Sequence, residues 1–427
     1  MGRHKHAPRS EQFLRHNSIF FFGAVAVGAL NYLYYPVMGR LLDTVSFGEV
    51  QTLISLFLQI TIFLTALGLV AINVVANYKS DESRNAVVLE LEKLALIGGT
   101  GLFVLTLLFG DAITKFLHFD SITPFALLML ALLASVPLTF RGAYLRGKRK
   151  FGRASLATIA SAAGKLLFAV LLVLAGFGTI GAIGGLAFAQ LVACALVITW
   201  AGRLGLKQPH RADWIKKPNW RLLAPELRFG LLVLVGSLFI TLQYSIDVIV
   251  VKHYFDPTTA GLYAGVATVA RIIFFLTMSI AMVLLSLVQV QAPHAQNQKV
   301  LIKSLSLTMA VGLPVLALCV FLPSAITTLL MGQAYQDVAA LLPRLATAVF
   351  VVAILNVFVS YYLALRRFMI APVLAIGALT TYALLYLNHA SLIDIVNGLL
   401  IGSLVMLAAL VLWVGSRQAK ELLWQRR

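Results

Sequence analysis

Apolar runs of about 20 residues alternate with short polar segments from near residue 18 to residue 414. A run of that length, laid out as an α-helix, matches the roughly 30 Å hydrocarbon thickness of a bilayer. The pattern predicts about twelve transmembrane helices, at 18–38, 50–76, 94–110, 124–143, 155–176, 180–200, 228–252, 263–288, 301–322, 343–363, 370–388 and 395–414. The expected fold class is all-α integral membrane, because within lipid each backbone polar group must be paired inside its own segment.

Composition agrees with that reading. Of 427 residues, 60% are hydrophobic and only 12% charged, where soluble domains carry about 25% charged residues. A net charge of +18 would suggest nucleic acid in a soluble protein, but its distribution excludes that partner. With the N-terminus inside, cytoplasmic segments hold 28 of the 34 Lys and Arg, while the outer segments hold Arg40, Lys115, Lys252 and Arg344. Such a bias sets orientation and places both termini in the cytoplasm. The basic segment 1–17 reads as a cytoplasmic tail, since the apolar run after it is too long for a signal peptide and lacks a small-residue cleavage site. Cys194 and Cys319 lie inside apolar runs and read as small hydrophobes.

The longest inner segment, 201–227, divides the chain into an N-lobe over 18–200 and a C-lobe over 228–414, with a cytoplasmic tail at 415–427. The two lobes resemble each other. GDAITKFL at 110–117 aligns with PSAITTLL at 323–330, and Phe47-Gly48 with Ala260-Gly261, both at an offset of 213. Arg149-Lys150-Phe151 matches Arg366-Arg367-Phe368 at a nearly equal offset. Six helices is an even number, so both copies share one orientation. Parallel repeats of this kind typically enclose a central site that opens alternately to each side, which points to transport.

Phosphate-loop, HExxH and GxSxG signatures are missing, so the chain is expected to be neither an enzyme nor a cofactor protein. Uphill work would draw on a proton or sodium gradient, the membrane potential or substrate supply. Ionisable groups inside membrane helices are costly and therefore informative. Three fall within the predicted helices: Lys165, Asp247 and Arg271. Lys165, near the midplane, shares a stripe with Thr158 and Ser161. Asp247 follows Gln243 by one turn, and with Arg271 it either pins two helices as an ion pair or walls a cavity. Lys165 has no intramembrane acid to offset it, so an anionic substrate would supply the partner. The candidate cavity residues are Lys165, Arg271, Asp247, Gln243 and Arg40. Arg141, Arg146, Lys148, Arg149 and Lys150, with Arg153, form a cytoplasmic cluster that either orients the chain on anionic lipid or captures a pyrophosphate headgroup. Asn31, Tyr32, Tyr34 and Tyr35 read first as an interfacial aromatic belt.

The stretch NYLYYPVMGRLLDTVSFGEVQTLISL, with Arg40, Asp43 and Phe47-Gly48, resembles the start of polysaccharide export proteins in the multidrug/oligosaccharidyl-lipid/polysaccharide exporter superfamily. SIDVIVVKHYFDPTTAGLYAGVATVARII, with Asp247, Ala260, Gly261 and Tyr263, and LLMGQAYQDVAALLPRLA, with Gly332 and Tyr335, extend the likeness into the second half. The resemblance implies a MATE-like, V-shaped exporter in a bacterial or archaeal cytoplasmic membrane. It also implies a usual role: moving a polyprenyl-pyrophosphate-linked oligosaccharide to the outer leaflet for cell-surface polysaccharides such as O-antigen or exopolysaccharide. The substrate lipid, membrane lipids and polysaccharide assembly proteins are the implied partners. Two other readings stand beside it. One is an ion-coupled drug exporter of the same fold with Asp247 as its coupling carboxylate; the other is a membrane-embedded sugar polymerase or ligase.

Overall fold

The computed structural model describes residues 9–78, 80–206, 220–288, 290–365 and 370–425. Among these, every regular element is helical. The long helices of the first half are α1 (Arg9–Leu41), α2 (Thr44–Asn77), α3 (Asp81–Leu108), α5 (Thr123–Gly147), α6 (Phe151–Leu172) and α7 (Gly178–Gly202), with a short α4 (Gly110–Leu117) after α3. The second half contains α8 (Trp220–Tyr254), α9 (Pro257–Ala270), α10 (Ile272–Leu287), α11 (His294–Phe321), short α12 (Pro323–Met331), α13 (Leu342–Ala364), α14 (Ala371–Leu387) and α15 (Leu392–Gln425).

Eight stretches are long and apolar enough to cross a membrane, and the bent pair α9–α10 makes a ninth. One of the eight, Phe151–Gly202, is not a single pass. It folds back at a five-residue π-turn, Val173–Phe177, where Gly176 (φ +91°) and Gly178 (φ +48°) adopt backbone angles that other residues rarely tolerate. Past the turn, Gly185 lies against Ala169 and Gly164 against Ala189, so α6 and α7 run antiparallel in close contact. Small residues let the two backbones approach, as is usual where helices pack within lipid. Large apolar side chains such as Leu108, Phe321 and Leu412 point outward, as a lipid-facing surface requires.

The order of long and short helices recurs between the halves. Asp43 caps α2, accepting from the Ser46 N–H at 3.0 Å, and Asp256, 213 residues later, caps α9 by accepting from Thr258 and Thr259. A break after Leu108 precedes α4, and a break after Phe321 precedes α12, again 213 apart. Packing follows the same scheme: the α3 and α11 spans are each 22% buried, whereas those of α5 and α13 are 61% and 67% buried. The copies differ at one place. α2 is continuous, but its counterpart bends by 42° at Arg271, between α9 and α10.

Several boundaries depart from the sequence-based expectation. α1 begins at Arg9, inside the expected tail; α8 begins at Trp220, inside the expected 201–227 linker; and α15 runs to Gln425. The polar starts of α2 and α3 also join their helices through Asp43 and the acidic first turn Asp81-Glu82, where carboxylates favour a helix N-terminus. Residues 207–219 of that linker and Arg366-Arg367-Phe368 lie outside the described residues.

Candidate functional site

The halves meet along two seams. α2 runs beside α8, with Gln59 reaching Ser245 at 3.4 Å and Gly230 packed on Leu67 and Val70. α1 meets α10 through Tyr32 and Tyr35, whose rings lie 5.5 and 5.9 Å from that of Phe275. Near the α2 N-terminus, Gly48 and Gly261 touch backbone to backbone: a Cβ on Gly48 would sit 2.7 Å from the Gly261 Cα.

Between the seams lies a polar cleft lined by Tyr35, Gln51, Ser55, Tyr244, Thr268 and Arg271. Arg271 sits at the α9–α10 bend. Its Nη2 donates to Asp247 Oδ1 at 2.6 Å and its Nε to the Tyr244 carbonyl at 3.1 Å, while Tyr263 donates to the other Asp247 oxygen at 2.9 Å. The ion pair therefore forms, and the guanidinium also lines the cleft, 5.1 Å from the Tyr244 ring centre. Asp247 is 1% exposed and already holds two donors, so it is not a free carboxylate. Gln51 donates to Thr268 across the halves.

Lys165 approaches the cleft from the other side. Its Nζ donates to Asn31 Oδ1 at 2.8 Å and stands 4.4 Å from the centre of the Tyr34 ring and 5.6 Å from that of Tyr35. It is 7% exposed. No acidic partner to it occurs among the described residues. Ring faces attract the ammonium and the amide oxygen accepts one of its protons, but neither cancels its charge. Tyr35 thus stands between two cations, near Lys165 on one side and sharing the cleft wall with Arg271 on the other.

The remaining candidates fall elsewhere. Gln243 faces the second half's interior, donating to Ser403 at 2.8 Å and accepting from Thr381 at 2.8 Å, so it lines no cavity. Arg40 is exposed and donates to the Leu329 carbonyl on α12, tying the halves together at one end. Arg141 is withdrawn from the expected headgroup cluster: it is 4% exposed and bonded to Glu92 at 3.0 Å. Lys148 pairs with Asp81 at 2.6 Å. Arg146 keeps a buried Nε without a hydrogen-bond partner, and Arg149 and Lys150 are exposed. Ser161 donates to Gln190 on α7 and Thr158 to its own helix, so the polar stripe through Lys165 holds α6 in place. Tyr34 and Tyr35, read from sequence as an interfacial belt, are instead buried. The clue was an Asn and three Tyr crowded into five residues of an apolar run, Asn31 to Tyr35.

Solved structures match nearly the whole chain. An inward-facing multidrug resistance MATE family transporter of the MOP superfamily superposes with a TM-score of 0.72 at 16% identity, over 93% of this chain and 96% of that one. The lipid II flippase MurJ, in an inward closed conformation, also gives 0.72, at 12% identity over 94% and 87%. An outward-facing MATE family transporter gives 0.60 at 17% identity, over 96% of each chain. At these identities the likeness is one of fold: all-helical, integral in the membrane and MATE-like. A search of curated proteins returns no sequence match. The family model for polysaccharide biosynthesis protein matches residues 14–285, and the chain belongs to that family.

Proposed function

We propose that this member of the polysaccharide biosynthesis family is a transporter that moves a polyprenyl-pyrophosphate-linked oligosaccharide from the inner to the outer leaflet by alternating access. The observation that carries this reading is Lys165: a buried ammonium at the meeting of the halves, held by Asn31 and two tyrosine rings and opposed by no carboxylate. An unpaired cation inside a membrane protein costs several kcal/mol unless a ligand or water offsets it. A pyrophosphate supplies that charge; Gln51, Ser55, Thr268 and the Tyr hydroxyls lining the cleft suit sugar hydroxyls; and the apolar flanks suit the isoprenoid tail.

Twelve crossings fit the reading. α1, α2, α3, α5, α6 and α7 make six, and α8, the bent α9–α10, α11, α13, α14 and α15 make six more. The lobes then span 18–200 and 228–414, with both termini in the cytoplasm of a bacterial or archaeal cell. Exposed Arg149 and Lys150 are placed to meet the headgroup at the inner leaflet, and polysaccharide assembly proteins are the natural partners. An ion-coupled drug exporter with Asp247 as its coupling carboxylate is disfavoured, because Arg271 and Tyr263 already hold that group and the free charge in the site repels cationic drugs. The test is reconstitution: a labelled polyprenyl-pyrophosphate sugar should cross vesicles faster with the protein than without it. Equal rates under proton, sodium and voltage gradients would reject the proposal.

A further inference from the structure

Lys252, at the C-terminal end of α8, looks in sequence like an outer-loop cation, yet it is 1% exposed. Its Nζ has no hydrogen-bond partner among the described residues and stands 4.9 Å from the centre of the Phe119 ring, in the first half. Two first-half carboxylates, Glu49 and Asp120, act on it electrostatically. Glu49 is half-buried and accepts from Thr179, the second residue of α7, at 2.6 Å. Asp43 is a third acid acting on Glu49. The surrounding contacts all join the halves: His118 Nδ1 lies 3.2 Å from the Lys252 carbonyl oxygen, and His253 Nδ1 lies 2.7 Å from that of Phe116, with their rings stacked at 3.8 Å.

An ammonium without hydrogen bonds is an expensive group to bury. What offsets it here is the charge of two acids and one aromatic face, all belonging to the other half. If the halves part at this end, Lys252 leaves with α8, while Glu49, Thr179 and Asp120 stay together as an acidic pocket at a helix N-terminus. We propose that Glu49, Thr179 and Asp120 form an external binding site for a small monovalent cation, a proton or sodium, and that Lys252 is its built-in competitor. The cation occupies the pocket when this end is open, and the ammonium occupies it when this end is closed. Because the two exclude each other, the cation stabilises the open form by its differential affinity for it. Asp247, bound by Arg271, offers no comparable vacancy.

The inference rests on the alternating-access reading, and one experiment separates the two. Spin labels at Ala112→Cys on α4 and Asn388→Cys after α14, in a chain with Cys194 and Cys319 replaced by alanine, report the separation of the outer ends. In lipid nanodiscs, raising sodium at fixed pH, or lowering pH without sodium, should increase the wide-distance population several-fold, and whichever arm responds identifies the cation. Lys252→Met should widen the ends without added cation, and Glu49→Gln should abolish the response to cation. Ends that separate in Lys252→Met but ignore both cations in the parent chain would overturn the cation site. A response that survives Glu49→Gln would assign it to other groups, such as His118 or His253, and would also overturn the site. Ends that never separate in any variant would overturn alternating access itself, and the cation site with it.

Discussion

Gly48 and Gly261 stand at the same position in the two repeats, 213 residues apart, and their backbones lie in direct contact. Residues related by a two-fold repeat can touch only near its axis, so this pair marks where the halves pivot or part. A Cβ on Gly261 would overlap the Thr44 carbonyl oxygen.

Gly261→Val should therefore lower stability by about 1–3 kcal/mol through overpacking. Gly28, which has nothing within 4 Å of its would-be Cβ, should tolerate alanine. Thermal unfolding of the two variants in detergent checks the contrast; equal melting temperatures would remove the contact from the account.

The Arg141–Glu92 pair, 4% and 5% exposed and 3.0 Å apart, should behave as a structural tie. Glu92→Gln alone strands a buried guanidinium and should cost about 3–5 kcal/mol. The double replacement Glu92→Leu with Arg141→Met should recover most of that loss. A double-mutant cycle on unfolding midpoints measures the coupling.

Asp43 and Asp256 give the outer turns a pH dependence. Hydrogen bonds from Thr259 and Thr258 hold the Asp256 carboxyl below its usual range. Burial pushes Asp43 upward, but the Ser46 hydrogen bonds outweigh it and the net shift is downward. A depressed carboxyl stabilises the fold fully above its unfolded value, near pH 4, and that contribution is lost as pH falls through the lower folded value. Asp256→Ala should cost about 1 kcal/mol at neutral pH and flatten the acid limb of the stability curve below about pH 4. A limb as steep as the parent's would contradict the assignment.

Much of this architecture is legible in the sequence because a bilayer imposes it: span length, the positive inner loops and the 213-residue repeat follow from lipid thickness, insertion and duplication. Lys165 was visible as a charge in an apolar run. Its cage was only half visible, since Tyr34 and Tyr35 could equally have faced the interface. Pairings between distant segments were hidden. Arg141 finds Glu92 49 residues away, and the sequence carries no local sign of it. Gln243 shares a helix with Asp247, yet a one-turn separation does not fix which neighbour each meets, and it turned to Ser403 and Thr381 instead. Lys252 misled because residues at helix ends count as loop in a hydropathy scan, whereas here the end of α8 is covered by the other half.

The most direct measurement is the flipping rate of a labelled polyprenyl-pyrophosphate oligosaccharide in vesicles containing Lys165→Met. This variant keeps the length of the side chain and loses its charge, so insertion and melting temperature should match or exceed the parent's. The account predicts at least a tenfold slower flipping rate, corresponding to about 1.4 kcal/mol or more of lost interaction with the pyrophosphate. A variant that inserts normally and flips at the parent rate would contradict it.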